Sequence, residues 1–488
     1  MPLKESRVRG SAGMLFVILL VLPLTSCAKN EDVSYEIKDD IALYKRELRA
    51  LPDDIDARYG LGVNYYKARD YAGAVRELKT VVGMNPNLPY AWNNLGLAYV
   101  GEGRLGKAVT AYLKSLQLER DFTPARINLG LAYYLAGMFK EAGSHFEIVL
   151  NKHPDNVTAR EGFGLSLLKQ GRLYEAVTEF NKVLEIEPGN ADAYKYIGIA
   201  SEEMGDIRAA ISAYRESLRL NPHDAETHWN LGNIYFDQGY LVGALREYTY
   251  AVDIKPDFKE AHFQRAITLK KLEAFREATA ELEVLIELDP EYPEAHYLLG
   301  AVYEARAASG SGKDVPRREE FIEEAVSEYK VELENNPYDI NTQKALGKLY
   351  LDRGDHVDGL DHYTRVVEIM PASAEAVYEL GDAYARSGRF SLALLQWERA
   401  AEMDPTMAIK VWKRVLEVRP SMAEAHYRLG MAYMREGKLA AAINSLNTAV
   451  SARPKNLAFR QALKRVRRSQ EKARAKEGKK RIEEEWWP

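Results

Sequence analysis

Residues 89–122, PYAWNNLGLAYVGEGRLGKAVTAYLKSLQLERDF, decide the fold. The stretch divides at Gly103. Before it, Leu95, Gly96 and Tyr99 fall on one helical face; after it, Ala108, Tyr112 and Ser115 do the same at i, i+4 and i+7. Two short amphipathic helices follow from that pattern. Gly96 and Ala108 carry too little side chain to keep the two backbones apart, and Tyr99 and Tyr112 fill the volume beside them. Gly103 suits the left-handed residue that closes a helix.

The same segment recurs along the chain every 34 residues. Glycines stand at 62, 96, 130, 164, 198 and 232, with Ala266 and Gly300 continuing the row. Alanines run in step twelve residues later, from Ala74 through Ala278. Prolines close the units at 86, 154, 188, 222, 256 and 290, with Arg120 the one departure. Proline cannot continue a helix and restricts the residue before it, so each second helix ends there. The helix-closing glycine returns at 137, 171, 205, 239, 354, 388 and 437. One helix pair cannot bury its stripe alone, whereas stacked neighbours can.

This arrangement resembles the tetratricopeptide repeat (TPR) family over about residues 55–456. The resemblance implies an all-α fold: a right-handed superhelical solenoid of about eleven helix-turn-helix repeats with terminal capping helices. Residues 27–54 are then a linker and an N-terminal cap helix, since Tyr44 and Pro52 match second-helix positions. Repeats 1–10 occupy 55–407, repeat 11 occupies 423–456, and 457–488 form a basic capping helix and tail. Two departures stand out. Residues 306–318 (RAASGSGKDVPRR) insert between the helices of repeat eight as a Gly/Ser-rich loop; its SGSGK lacks the first glycine and the final Ser/Thr of a phosphate-binding loop. Residues 408–422 read as an orphan half-repeat, because Ala408, Trp412 and Val415 hold second-helix positions relative to Pro420 with no first helix before them. One extra antiparallel helix is expected to swap inner and outer helices beyond it, with a kink or break.

In TPR solenoids the first helices line a concave groove. The resemblance places Tyr59, Tyr90, Asn93, Asn94, Asn128, Trp229, Asn230, Asn233, Phe263, Tyr297, Lys348, Tyr378 and Tyr427 there. Aromatic rings and amides suit an extended or helical peptide. Asn94, Asn128 and Asn230 resemble the asparagine ladder of O-GlcNAc transferase repeats, which grips peptide backbone, although Gly162 and Tyr196 interrupt it. The plainer reading is solvated groove lining. The Lys/Asn/Arg clamp of chaperone-tail-binding TPR domains is not reproduced.

His228, His262 and His296 also recur at repeat spacing. Packed helices lie about 8–10 Å apart, whereas one metal holds its ligands at about 2 Å. Packing therefore explains these histidines better than a metal. No nucleophile elbow, dinucleotide fingerprint or zinc spacing is present, so the expectation is a non-enzyme with no cofactor and no metal.

The N-terminus reads as an address. Lys4, Arg7 and Arg9 precede an apolar run, Met14–Leu22, that is half the length of a membrane span. It ends in Leu24-Thr25-Ser26-Cys27, which resembles the lipobox of bacterial lipoproteins. Residues 1–26 would then be the signal peptide and Cys27, the chain's one cysteine, the acylated residue (palmitate among its lipids). Ala28 after it favours the outer membrane. A lone cysteine also excludes an internal disulfide and a Cys-rich metal site.

The 488 residues are 46% hydrophobic and 28% charged, with a formal charge of −5, which argues against wholesale nucleic-acid binding. The charge is uneven. Residues 27–456 carry 53 basic and 66 acidic side chains, whereas 460–481 hold eleven Lys/Arg against two Glu. Lys464, Arg465, Arg467, Arg468 and Lys472 head that basic tail, which caps the last repeat or meets an anionic partner. The expectation is a membrane-anchored periplasmic scaffold for protein partners in a pilus, secretin, polysaccharide-export or cell-wall assembly. The alternative is an adaptor for RNA or another anionic polymer through the tail.

Overall fold

The computed structural model describes residues 30–309 and 317–486, and Cys27, the centre of the 306–318 insertion and Trp487-Pro488 lie outside them. The described residues form twenty-five α-helices and no strand. They fall into two compact units that divide between Leu272 and Glu273.

In the first unit, α1 (Asn30–Ala50) precedes a strict alternation of 13- and 14-residue helices. These are α2 (Ile55–Lys67), α3 (Tyr71–Met84), α4 (Pro89–Gly101), α5 (Leu105–Leu118), α6 (Thr123–Leu135), α7 (Phe139–Lys152), α8 (Val157–Lys169), α9 (Leu173–Ile186), α10 (Ala191–Glu203), α11 (Ile207–Leu220), α12 (Ala225–Asp237), α13 (Leu241–Ile254) and α14 (Lys259–Lys271). Even-numbered helices are the first members of each repeat and odd-numbered ones the second. Asparagine and aspartate open several of them: Asn156 and Asn190 accept from the backbone N–H three residues on, Ala159 and Ala193, at 2.8 Å.

The close approach that the glycines permit is measurable. A Cβ on Gly96 would stand 2.4 Å from the ring of Tyr112, which is fully buried. The same meeting recurs sixteen residues apart at Gly130 with Phe146, Gly164 with Phe180, Gly198 with Tyr214 and Gly232 with Tyr248. Each ring contributes about 2–3 kcal/mol by burial. Gly103 closes α4 at φ +73, and Arg69 holds the equivalent place at φ 61 without being glycine. At the N-terminal end Ile41, Tyr44 and Leu48 of α1 cover the stripe of α2 and α3, and Tyr44 lies over Gly60.

The second unit holds α15 (Phe275–Leu288), α16 (Ala295–Ser309), α17 (Arg318–Asn335), α18 (Ile340–Arg353), α19 (His356–Ile369), α20 (Ala374–Arg386), α21 (Phe390–Met403), a 3-10 turn (Pro405–Met407), α22 (Ala408–Val418), α23 (Ala423–Arg435), α24 (Leu439–Ala452) and α25 (Leu457–Trp486). The insertion begins later than its composition suggests, because α16 continues helically through Ser309. Both its ends converge on one ring: the guanidinium groups of Arg306 and Arg317 lie 4.1 and 5.1 Å from the ring of buried Phe321.

Ala408, Val411, Trp412 and Val415 bury the apolar stripe of α22. Its polar side reaches across α21 to α20, where Lys410 pairs with Glu375 at 2.7 Å and Arg414 with Asp382 at 2.8 Å. Lys344 of α18 pairs with Glu379 of α20 in the same way, so α22 makes the ion pairs of a first helix with the apolar residues of a second. Phe459, Ala462 and Val466 of α25 are buried against the last repeat, and Phe459 stacks on Tyr427 with centroids 4.8 Å apart.

Candidate functional site

The first helices of unit one bring five of the expected groove residues into one polar and aromatic ledge. Asn128 of α6 donates from Nδ2 to Oδ1 of Asn93 on α4 (2.9 Å), and Asn93 donates to Oδ1 of Asn94 (3.1 Å). Asn94 in turn donates to the hydroxyl of Tyr59 on α2 (2.7 Å). Tyr59 meets Tyr90 edge to face, with centroids 5.0 Å apart and planes at 80°. Burial and the neighbouring Tyr90 raise the pKa of Tyr59, so its hydroxyl keeps its proton as a donor. Asn93 and Asn128 are buried; Asn93 uses both amide atoms in this network and Asn128 its Nδ2, while Oδ1 of Asn128 has no hydrogen-bond partner among the described residues. The first-helix face presents to solvent Tyr90, which is exposed, and the half-buried Tyr59 and Asn94.

The remaining expected residues stand apart from that ledge. On α12, Trp229 is half-buried against Phe258 (5.8 Å) and Asn233 accepts from the hydroxyl of Tyr248 at 2.8 Å; Asn230 is half-buried beside them. Phe263 of α14 is also half-buried. In unit two Tyr297 packs on Tyr329 (5.8 Å), Tyr378 is buried beneath Lys410 (4.2 Å), and Tyr427 is stacked against Phe459. Lys348 is exposed and pairs with Glu304. The basic tail residues Lys464, Arg465, Arg467, Arg468 and Lys472 are exposed on α25.

The histidines make hydrogen bonds at the joints between repeats. His228, His262 and His426 turn Nε2 toward the carbonyl of the residue six earlier, Pro222, Pro256 and Pro420, at 3.2, 2.9 and 2.9 Å. Trp92 donates to Pro86 (2.8 Å) and Gln343 to Pro337 (3.3 Å) from the same repeat position. Arg58, Arg126 and Arg160 do so to Pro52, Arg120 and Pro154. The second nitrogen of His228 faces Glu247, and Nδ1 of His296 faces Glu328, at 2.8 and 2.7 Å. The carbonyls so satisfied lie just past the end of the preceding helix, whereas Glu247 and Glu328 sit within the second helices α13 and α17. Among the described residues no group of three or more His, Cys, Asp or Glu is arranged to hold a metal.

A charged cluster on α8, α10 and the start of α12 escaped sequence reasoning. Lys195 lies 3.0 Å from Asp192, 3.1 Å from Asp224 and 3.8 Å from Glu226. Burial works against its charge, but Tyr196 and these carboxylates outweigh that and raise its pKa. Glu161, one repeat earlier, accepts from Asn190 at 2.8 Å. Burial is the main reason its pKa rises to about 7, with Asp192 and Glu187 adding to the shift. The available signal was Glu161 and Lys195 at a repeat position that Tyr59, Trp229, Phe263 and Tyr297 fill with aromatic rings.

Comparison with known proteins bears on this architecture. The yeast peroxisomal targeting signal receptor of Kluyveromyces lactis is 32% identical over 90 residues, 18% of this chain and 16% of the receptor. That of Candida albicans is 34% identical over 73 residues, 15% and 12% of the two. The chain thus spans about a sixth or less of the length of these curated relatives. Among solved structures, the human IFIT1 dimer with m7Gppp-AAAA is 16% identical with a TM-score of 0.41, covering 74% of this chain and 90% of that one. Yeast Tom70 is 14% identical with a TM-score of 0.36, covering 86% and 96%. The family model described as tetratricopeptide repeat matches residues 59–124, 125–191, 344–408 and 404–456, and a TPR repeat model matches 202–239. With more than half of its length so matched, this chain belongs to the tetratricopeptide repeat family.

Proposed function

We propose that this TPR protein, an interaction scaffold by family, captures a peptide segment of a protein partner on the first-helix face of unit one. The observation that carries the reading is the ledge of Tyr59, Tyr90 and Asn94. An exposed ring is held edge-on by a second ring, whose hydroxyl is fixed by an amide. Rigid aromatic area costs little entropy on binding, and a hydroxyl and an amide can pair with a peptide backbone. The yeast relatives are named as targeting signal receptors, which supports a peptide-capturing use of these repeats.

The signal-like N-terminus and Cys27 support a further step: a lipid-anchored protein of the bacterial cell envelope, at the outer membrane and facing the periplasm. Its partners would then belong to a pilus, secretin, polysaccharide-export or cell-wall assembly. The test is in-cell crosslinking of tagged protein from detergent-extracted membranes. A reproducible partner that disappears in Tyr59→Ala/Tyr90→Ala, while the variant keeps its helicity, supports the ledge. A partner retained by that variant refutes it. Extraction by high salt without detergent would refute the anchor.

A further inference from the structure

The face of α25 opposite its packed side is a half-cylinder of positive charge with no acidic partner among the described residues. At 100° per residue, Phe459, Ala462 and Val466 share the side buried against the last repeat. Arg460, Lys464, Arg465, Arg467, Arg468, Lys472 and Arg474 spread over an arc of about 180° centred on the other side, with Glu471 the one acid among them. Among the described residues none of these seven makes an ion pair; Arg467 donates to Asn447 at 3.0 Å. A hollow of about 450 Å³ opens beside them, lined by the apolar Val450 and Leu463, the cations Arg460, Lys464, Arg467 and Arg468, and one acid, Glu471.

We infer that this face of α25 docks on a bilayer surface bearing anionic phospholipid headgroups. Four observations choose that occupant. A charge spread over half a helix matches an extended plane of anions, whereas a single acidic helix would need only a stripe. The hollow offers four cations against one carboxylate, Glu471, for phosphate, and two apolar side chains for the edge of the glycerol. The cationic stretch 460–474 contains no aromatic residue, and Phe459 beside it is 1% exposed and stacked on Tyr427, so this face itself carries no platform on which unpaired bases could stack. Finally, residues 27–456 carry an excess of acid, which an anionic surface repels, so adsorption is confined to the tail. No helix of the described residues is long and apolar enough to cross a membrane, so α25 adsorbs and does not span. This contact is separate from the peptide ledge and does not depend on it.

The experiment is vesicle flotation of the full chain carrying Cys27→Ser, so that no acyl group at that residue contributes. Vesicles of phosphatidylcholine alone are compared with phosphatidylcholine mixed with phosphatidylglycerol. Floating with the mixed vesicles only, and release as salt shortens the screening length, is expected. Lys464→Glu/Arg468→Glu/Lys472→Glu should lower partitioning at least about a hundredfold, since each cation near such a surface is worth roughly a factor of five to ten. Lys464→Arg/Lys472→Arg should leave it unchanged, as should Tyr59→Ala/Tyr90→Ala. Equal flotation with both vesicle types, insensitivity to salt, or retention by the charge-reversed variant overturns the inference. So does displacement from the vesicles by an RNA homopolymer or duplex at equal anion concentration. If the charge-reversed chain loses helicity, the salt and lipid dependence of the unaltered face decides alone.

Discussion

Replacing Glu161 by glutamine is expected to stabilise the centre of unit one, and by an amount that depends on pH. In the fold this carboxyl sits half-buried at the start of α8, accepts from Asn190, and feels Asp192 and Glu187. Burial first, and those two carboxylates second, raise its pKa from 4.5 to about 7. A group that binds its proton more tightly folded than unfolded stabilises the fold while protonated. That contribution is full below pH 4.5, declines as pH rises toward 7, and is gone above it. At about 1.4 kcal/mol per pH unit, ionised Glu161 costs the fold between about 1 and 3 kcal/mol, the lower figure allowing for water at its outer edge. Glutamine keeps the oxygen that Asn190 bonds and has no charge to develop. Native-state hydrogen exchange of peptides from α8 to α10, compared between the two proteins at the same pH, isolates the effect. At pH 8 the variant should be about 5- to 150-fold better protected, and at pH 4 the two should coincide. Equal protection at pH 8, or a variant weaker at both, refutes the reasoning.

Three other expectations follow from packing and backbone geometry. Gly96→Ala should cost about 2–3 kcal/mol in urea unfolding, because its Cβ meets the ring of Tyr112 at 2.4 Å. Gly106→Ala, whose Cβ meets nothing within 4 Å, should instead gain about 0.5–1 kcal/mol. Arg160→Met leaves buried Glu179 with Lys182 alone and should cost about 2–4 kcal/mol, whereas Arg172→Met, which breaks an exposed pair with Glu175, should change stability by less than about 1 kcal/mol. Arg69→Gly removes a left-handed conformation from a residue with a Cβ and should raise the melting temperature slightly, the net gain being about 0.5 kcal/mol.

The fold was legible because its determinants repeat. Gly96 needs Tyr112 in order to be read, and one such pair means little; the same pair sixteen residues apart in successive repeats leaves no other structure. The candidate site was less legible, since groove positions can be assigned by register while solvent access cannot. Asn93 and Asn128 occupy first-helix positions as readily as Asn94 does, yet hydrogen bonding across α4 and α6 turns them inward. Tyr378 and Tyr427 hold equivalent positions but are covered by Lys410 and Phe459, residues that come from α22 and α25, where the period has been interrupted or has ended. The role of the histidines was hidden for a related reason. Arg58, Trp92, Arg160, His228 and Gln343 share no chemistry except an N–H at the right distance, so letter identity conceals what geometry unites.

That tolerance sets the terms on which this chain can grow or shrink. Each joint asks its incoming helix for any long side chain with a donor, and asks the outgoing chain for a bare carbonyl six residues back. Excising residues 123–156 would set Val157 directly after Phe122 and bring Arg160 to the carbonyl of Arg120, the one Arg126 now uses. Loss or duplication of a whole unit therefore closes on a ready-made seam, whereas a gain that is not a whole unit has to be placed between helices, as the extra residues between α16 and α17 are, or form a helix of its own such as α22. Within unit one, where the 34-residue period is unbroken, length is quantised, and reach along it changes by a whole number of steps.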